Sequence, residues 1–141
     1  MRRLLTLLLA AAAVLSCLGA APEPPPLTVM LGDSDTLGRV LTDLSGHTLY
    51  RYDPETAAGA VVCLGPCTET RHPLLTEPAA ELRLPPGIAG TLGRITRPDG
   101  TGDQVTYDGS PLYTYTGDVQ PAATEGVTLD WHAVQPKDAA R

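Results

Sequence analysis

Apolar and polar residues alternate along this chain in short bursts. The segments LGRVLTDL, HTLYRY, TLGRITR, QVTY, SPLYTY and VTLDWHAV are each a few residues long and rich in β-branched and aromatic residues, the pattern of half-buried strands. No long stretch places apolar residues at i, i+3, i+4 and i+7, and fourteen Pro and fourteen Gly cut the chain into short pieces. Ser45-Gly46 predicts a hairpin between LGRVLTDL and HTLYRY. Pro98-Asp99-Gly100 predicts a longer turn after TLGRITR. Asp108-Gly109, which favours positive φ at both central positions, predicts a tight turn between QVTY and SPLYTY. The expected fold is all-β, with little helix outside the N-terminal leader.

Two of these segments are versions of one another. HTLYRYDPE begins at residue 47 and SPLYTYTGD at residue 110. They share Leu-Tyr-x-Tyr-x-x-acid, with Tyr50, Tyr52 and Glu55 in the first and Tyr113, Tyr115 and Asp118 in the second. TLGRV at 36–40 also matches TLGRI at 91–95, which places about eight extra residues in the second half, on RPDGTGDQ. The chain therefore reads as two tandem antiparallel β-meander repeats, the first over about 36–90 and the second over about 91–136. Residues i and i+2 of a strand face one side. Tyr50 thus shares a face with Tyr52, and Tyr113 with Tyr115, while Leu49 and Leu112 face away. The acid beyond each strand is placed to accept hydrogen bonds from turn amides or a Tyr hydroxyl. Two readings follow: a strand-and-turn brace used once per repeat, or an aromatic platform for a carbohydrate-like or cationic ligand.

The first residues have a separate pattern. Arg2 and Arg3 precede an apolar run, Leu4 to Leu15, broken only by Thr6. The run is shorter than the roughly 20 residues a membrane span needs and fits the apolar region of a secretory signal. VLSC at its end resembles a lipobox, which makes residues 1–16 a lipoprotein signal peptide and Cys17 the lipidated first mature residue. Gly19-Ala20-Ala21 offers an alternative, ordinary cleavage site. The three cysteines favour the lipobox, since an exported protein rarely leaves one thiol unpaired. Lipidation of Cys17 leaves Cys63 and Cys67 as a pair. Residues 17–35, with their APEPPP run, read as a stiff spacer, and 36–141 as one domain. Loss of the two leader arginines takes the formal charge from −6 to −8. An acidic body without a basic cluster argues against a nucleic-acid partner. The expected membrane partner is reached through the lipid anchor, facing the periplasm or the cell exterior.

Taken together, GHTLYRYDPE, CLGPC, HPLL, DQVTYDGSPLYTYTGD and DWHAVQP resemble the bacterial family of secreted repeats, predicted lipoproteins with a Tyr-x-(Phe/Trp/Tyr)-x-x-Asp motif. The resemblance spans roughly residues 36–136. It carries no established enzymatic activity, and it implies an exported repeat domain whose molecular function and ligand are unassigned. The chain departs from the family pattern twice. Glu55 stands for the usual Asp of the first motif. TRHPLL stands for a Trp-Pro-Pro-Leu segment, so that Arg71 and His72 replace Trp and Pro.

CLGPC is the most chemically informative stretch. Three residues between Cys63 and Cys67 suit a bridged tight turn, and an oxidising compartment favours a structural disulfide. The alternative is a copper or thiol-redox site, since soft thiolates with an imidazole suit copper. Its ligands would be Cys63, Cys67 and a histidine, His72 or one of His47 and His132. The histidines have no short-range ligand spacing, and Trp131, the single Trp, reads as a core anchor. The acidic turn DGTGD falls short of a full calcium loop. No nucleophile-elbow, zincin or phosphate-loop motif occurs. The sequence thus predicts a non-enzymatic binding or structural module of the cell envelope, without cofactor.

Overall fold

The computed structural model describes residues 19–139. The leader and Cys17 lie outside the described residues.

Twelve short strands follow one another: β1 (Met30–Ser34), β2 (Gly38–Thr42), β3 (Tyr50–Tyr52), β4 (Arg71–Pro73), β5 (Leu75–Thr76), β6 (Ile88–Ala89), β7 (Leu92–Thr96), β8 (Asp103–Tyr107), β9 (Ser110–Pro111), β10 (Tyr113–Tyr115), β11 (Trp131–Ala133) and β12 (Lys137–Asp138). A single α-turn, α1 (Asp53–Ala58), and a 3₁₀ turn over Gly65–Glu69 interrupt them. Every pairing is antiparallel. The fold is all-β, as the alternation predicts. Pro54 opens α1, where its missing N–H costs nothing, and Gly59 ends it with φ 64°.

The centre is a four-stranded sheet in the order β11-β3-β10-β4. Its middle pair joins the two motif strands, with Tyr50 opposite Tyr113. Trp131 pairs with Tyr52 on one flank, and Arg71 with Tyr115 on the other. The sheet therefore has an approximate two-fold axis between Tyr50 and Tyr113. Strand alternation sends Leu49, Leu112 and Val134 to one face, where they join Val29, Leu41, Val105 and Tyr107 in the main core. It sends Tyr50, Tyr113 and Trp131 to the other face, where they form a second core with Cys63.

Topology corrects two expectations. The longest hairpin of the first repeat is β1–β2, with Met30 opposite Thr42, which the sequence reading did not include. The returning chain after Ser45-Gly46 does pair back: Asp43 N–H donates to His47 O and Leu49 N–H to Leu41 O, both at 2.9 Å, around the Thr42–Thr48 bridge, and β3 then leaves for the central sheet. The segment read as spacer thus supplies a strand, and Val29, in the same segment, is fully buried. The match of TLGRV to TLGRI is also misleading. TLGRV lies in the inner strand β2, which leads into the motif, whereas TLGRI lies in the outer strand β7. The structural counterpart of β2 is β8: Leu49 donates its amide to Leu41 O at 2.9 Å as Leu112 does to Val105 O at 3.0 Å. The Asp108-Gly109 turn forms as predicted, with φ of 49° and 85°.

Candidate functional site

The paired tyrosines and acids meet on the second face of the central sheet, and they meet crosswise. Tyr50 of the first repeat donates its hydroxyl to Asp118 Oδ2 of the second at 2.6 Å. Tyr113 of the second repeat donates to Glu55 Oε1 of the first at 2.7 Å. Each acid also closes its own loop. Glu55 Oε1 accepts the amides of Val62 and Cys63, both at 2.8 Å. Asp118 Oδ1 accepts the amide of Glu125 at 2.9 Å, and Gly126 N–H donates to the Tyr50 hydroxyl at 3.2 Å. The acid-to-amide spacing of seven residues is the same in both loops. Glu55 plays the role that Asp118 plays in the second repeat, its longer stem reaching the loop amides from α1.

A buried arginine completes each half. Arg97 donates to Cys63 O at 3.0 Å, to Gln104 Oε1 at 2.6 Å and to Asp99 Oδ2 at 2.7 Å. Arg71 donates to Gly126 O at 2.7 Å. Its guanidinium carbon lies 4.3 Å from the Tyr115 ring centre, 4.4 Å from that of Trp131 and 5.2 Å from that of Tyr50. The two-fold axis gives Arg71 and Trp131 equivalent places, and Trp131 stacks on Tyr52 at 4.5 Å and 15°. Arg71 therefore takes the place of an indole as a planar partner of a motif tyrosine, held by cation–π attraction. Gly126 permits the close approach: a Cβ there would lie 2.7 Å from Arg71 Nη1 and 2.8 Å from Tyr50 Cζ.

Burial sets the electrostatics. It pushes the Tyr50 phenol far above its ordinary value of 10.0, and the hydrogen bond and charge of Asp118 push the same way. Tyr113 is raised likewise, by burial and then by Glu55. Burial also pushes the Asp118 carboxyl up, against the pull of the Tyr50 hydroxyl, the loop amides and Arg71. Burial pulls the Arg71 guanidinium down. For Arg97 burial acts downward too, but bonds to Asp99 and Tyr113 outweigh it and the guanidinium is raised. Bonding to Arg97 and then to Thr101 holds Asp99 well below the usual carboxylate range. Both phenols thus stay neutral donors.

Cys63 and Cys67 are joined in a disulfide. Cys63 is buried in the second core and its backbone serves both Glu55 and Arg97. The bond takes up both sulfurs that the copper reading needed as thiolates. His72 is exposed and alternates with the buried Arg71, so it faces away from the cysteines. His47 pairs with Asp43, and His132 Nε2 lies 2.9 Å from Asp53 Oδ2. The structure does not bring the proposed ligands together. In DGTGD the Asp99 carboxylate is committed to Arg97 and Thr101.

Arg97, Gln104 and Gly126 escaped the sequence reading. Arg97 ends the strand segment TLGRITR just before the turn, and a lone Arg there carries no pattern. The loop symmetry was detectable, since Cys63 and Gly126 stand eight residues after Glu55 and Asp118.

No curated protein and no solved structure matches the chain. One family does, described as a secreted repeat of unknown function, over residues 33–75 and again over 93–135. The matched segments begin in β1 and in β7, the strands that topology makes equivalent. They cover more than half of the 141 residues. An exported repeat, written twice and interlocked through its tyrosines and acids, places the chain in the family of secreted repeats of unknown function.

Proposed function

We propose that the protein is a lipid-anchored, non-enzymatic binding or structural module of the cell envelope, with the repeat as its scaffold. The observation that carries the reading is the crosswise pair of Tyr–carboxylate bonds. The residues that define the repeat point inward and lock one repeat to the other, so they act as a brace. Such a frame leaves loops and outer faces to carry recognition. The disulfide supports the anchor: with Cys63 and Cys67 joined, Cys17 is the remaining cysteine, directly after VLS and a charged, apolar leader. Among the described residues no helix is long and apolar enough to cross a membrane, so attachment in this reading comes from acyl chains on Cys17.

The intact mass of the protein extracted from membranes tests the proposal. The expected mass is that of a chain starting at Cys17 and carrying lipid, and Cys17→Ser should move the protein to the soluble fraction. A lipid-free chain starting at Pro22 would overturn the anchor.

A further inference from the structure

A cleft of about 280 Å³ opens beside the central sheet, away from the tyrosine brace, and is lined by Arg51, Thr56, Asp108, Ser110, Gln135 and Lys137 among others. Within the binding-module reading proposed above, we infer that it is the ligand site and that it takes a sugar acid or sugar phosphate, a polyhydroxy compound bearing one anionic group.

Broken symmetry carries the argument first. The duplication preserves Leu49/Leu112, Tyr50/Tyr113 and Tyr52/Tyr115, but not the cleft. The repeat counterparts of Arg51, Thr56 and Ser110 are Thr114, Val119 and His47. Arg51 and Thr56 come from the first repeat and Ser110 from the second, none has a like residue at its counterpart position, and bracing does not require them.

Charge comes second. The chain carries a formal −6 and a single Lys, and that Lys lines the cleft. Other cations among the described residues have local tasks. Arg71 and Arg97 are buried in the brace. Arg83 and Arg94 bind the carbonyls of Pro25 and Ala80, and Arg39 binds Asp138. Lys137 is largely exposed, and its nearest acid, Asp108, lies 3.8 Å from Nζ. Asp108 is itself held by the Thr91 amide at 2.9 Å. Arg51 binds Asp53 through Nη1 at 2.6 Å, and its remaining donors are open to a ligand.

Polar groups come third. The hydroxyls of Thr56 and Ser110 lie 2.9 Å apart, Ser110 being 6 % exposed. Gln135 gives its Nε2 to Leu37 O at 2.7 Å, which leaves Oε1 as an acceptor. Arg51 and Lys137 each contact one carboxylate, Asp53 and Asp108, and keep further donors; with fixed hydroxyls and an amide oxygen alongside, the set suits a polyol bearing one anionic group. The volume exceeds what a bare phosphate would fill.

Calorimetric titration of the mature chain carrying Cys17→Ser tests the assignment at low salt, with glucuronate, glucose 6-phosphate, inorganic phosphate and glucose as probes. Saturable binding of glucuronate or glucose 6-phosphate is expected, with glucose and phosphate far weaker. Which of the two sugar anions binds tighter separates a sugar acid from a sugar phosphate. Arg51→Gln and Lys137→Gln should each weaken binding at least about tenfold, the loss expected from one charge-assisted hydrogen bond, with melting temperatures unchanged. Failure of both sugar anions to bind, glucose or phosphate binding as tightly, or variants binding like the parent would overturn it. If the sugar anions fail while the lipidated Cys17 mass is found, the cleft assignment falls and the envelope reading stands.

Discussion

Removing one hydroxyl from each half of the brace should have unequal effects. In Tyr113→Phe, Glu55 Oε1 loses its phenolic donor but keeps the amides of Val62 and Cys63, and Arg97 Nη1 loses a long 3.4 Å bond to the hydroxyl but keeps Gln104 Oε1 at 2.6 Å. In Tyr50→Phe, Asp118 Oδ2 loses the hydroxyl bonded to it at 2.6 Å, and the buried Gly126 N–H loses its acceptor as well. A hydrogen bond to a charged group contributes about 1.5–3 kcal/mol, and an orphaned buried donor costs about 1–3 kcal/mol more. Tyr113→Phe should therefore cost about 2 kcal/mol and Tyr50→Phe about 3–4 kcal/mol. Rings and packing remain, so both variants should fold. Urea denaturation followed by far-ultraviolet circular dichroism reads the difference as a shift in midpoint at constant slope. At roughly 4–8 °C per kcal/mol for a domain near this size, the Tyr50 variant should melt well below the Tyr113 variant. Equal losses, or losses below about 0.5 kcal/mol in both, would refute the reasoning.

Three further outcomes follow from the same geometry. Both Arg71→Trp and Arg71→Ala lose the donor to the Gly126 carbonyl, but Arg71→Trp keeps a planar ring in the stack and should cost at least about 1 kcal/mol less in urea melts than Arg71→Ala, which also loses packing. Tyr50 and Tyr113 have folded pKa values raised above the ordinary 10.0. Their neutral forms therefore contribute fully below about pH 10, and the contribution is lost as pH rises toward the raised values. Absorbance at 295 nm should show these two phenols ionising together with alkaline unfolding, and independent titration of both in the folded protein would contradict this. Replacing Cys63 and Cys67 with Ser should cost about 2 kcal/mol, the chain-entropy value for so short a loop, read by denaturation with and without reductant.

The all-β class, the Asp108-Gly109 turn and the shared face of Tyr50 and Tyr52 were legible because each depends on local period or turn chemistry. The Cys63–Cys67 bond was legible from spacing. Partner choice was not. Nothing local says that β3 leaves β2 for β10, since either pairing would satisfy the same alternation. The TLGRV and TLGRI segments look like repeat equivalents, yet they occupy different strands of their hairpins, because short strand-forming words recur by composition. The crosswise direction of the Tyr–acid bonds is hidden for the same reason: in sequence each acid stands five residues after the tyrosine of its own repeat, and only the pairing of Tyr50 with Tyr113 carries each hydroxyl to the other acid. Arg71 reads in sequence as a lost Trp, and its place in the stack emerges only when three aromatic rings converge from three strands.

Crosswise bracing is tested most directly by two double-mutant cycles sharing Tyr50→Phe, one with Asp118→Ala and one with Glu55→Ala. Contacting pairs couple by about 0.5–3 kcal/mol, and independent ones add to within about 0.5 kcal/mol. Crosswise bracing predicts a coupling above about 1 kcal/mol for Tyr50 with Asp118, across the repeats, and near additivity for Tyr50 with Glu55, within its own repeat. A strong Tyr50–Glu55 coupling with additive Tyr50 and Asp118 would contradict it.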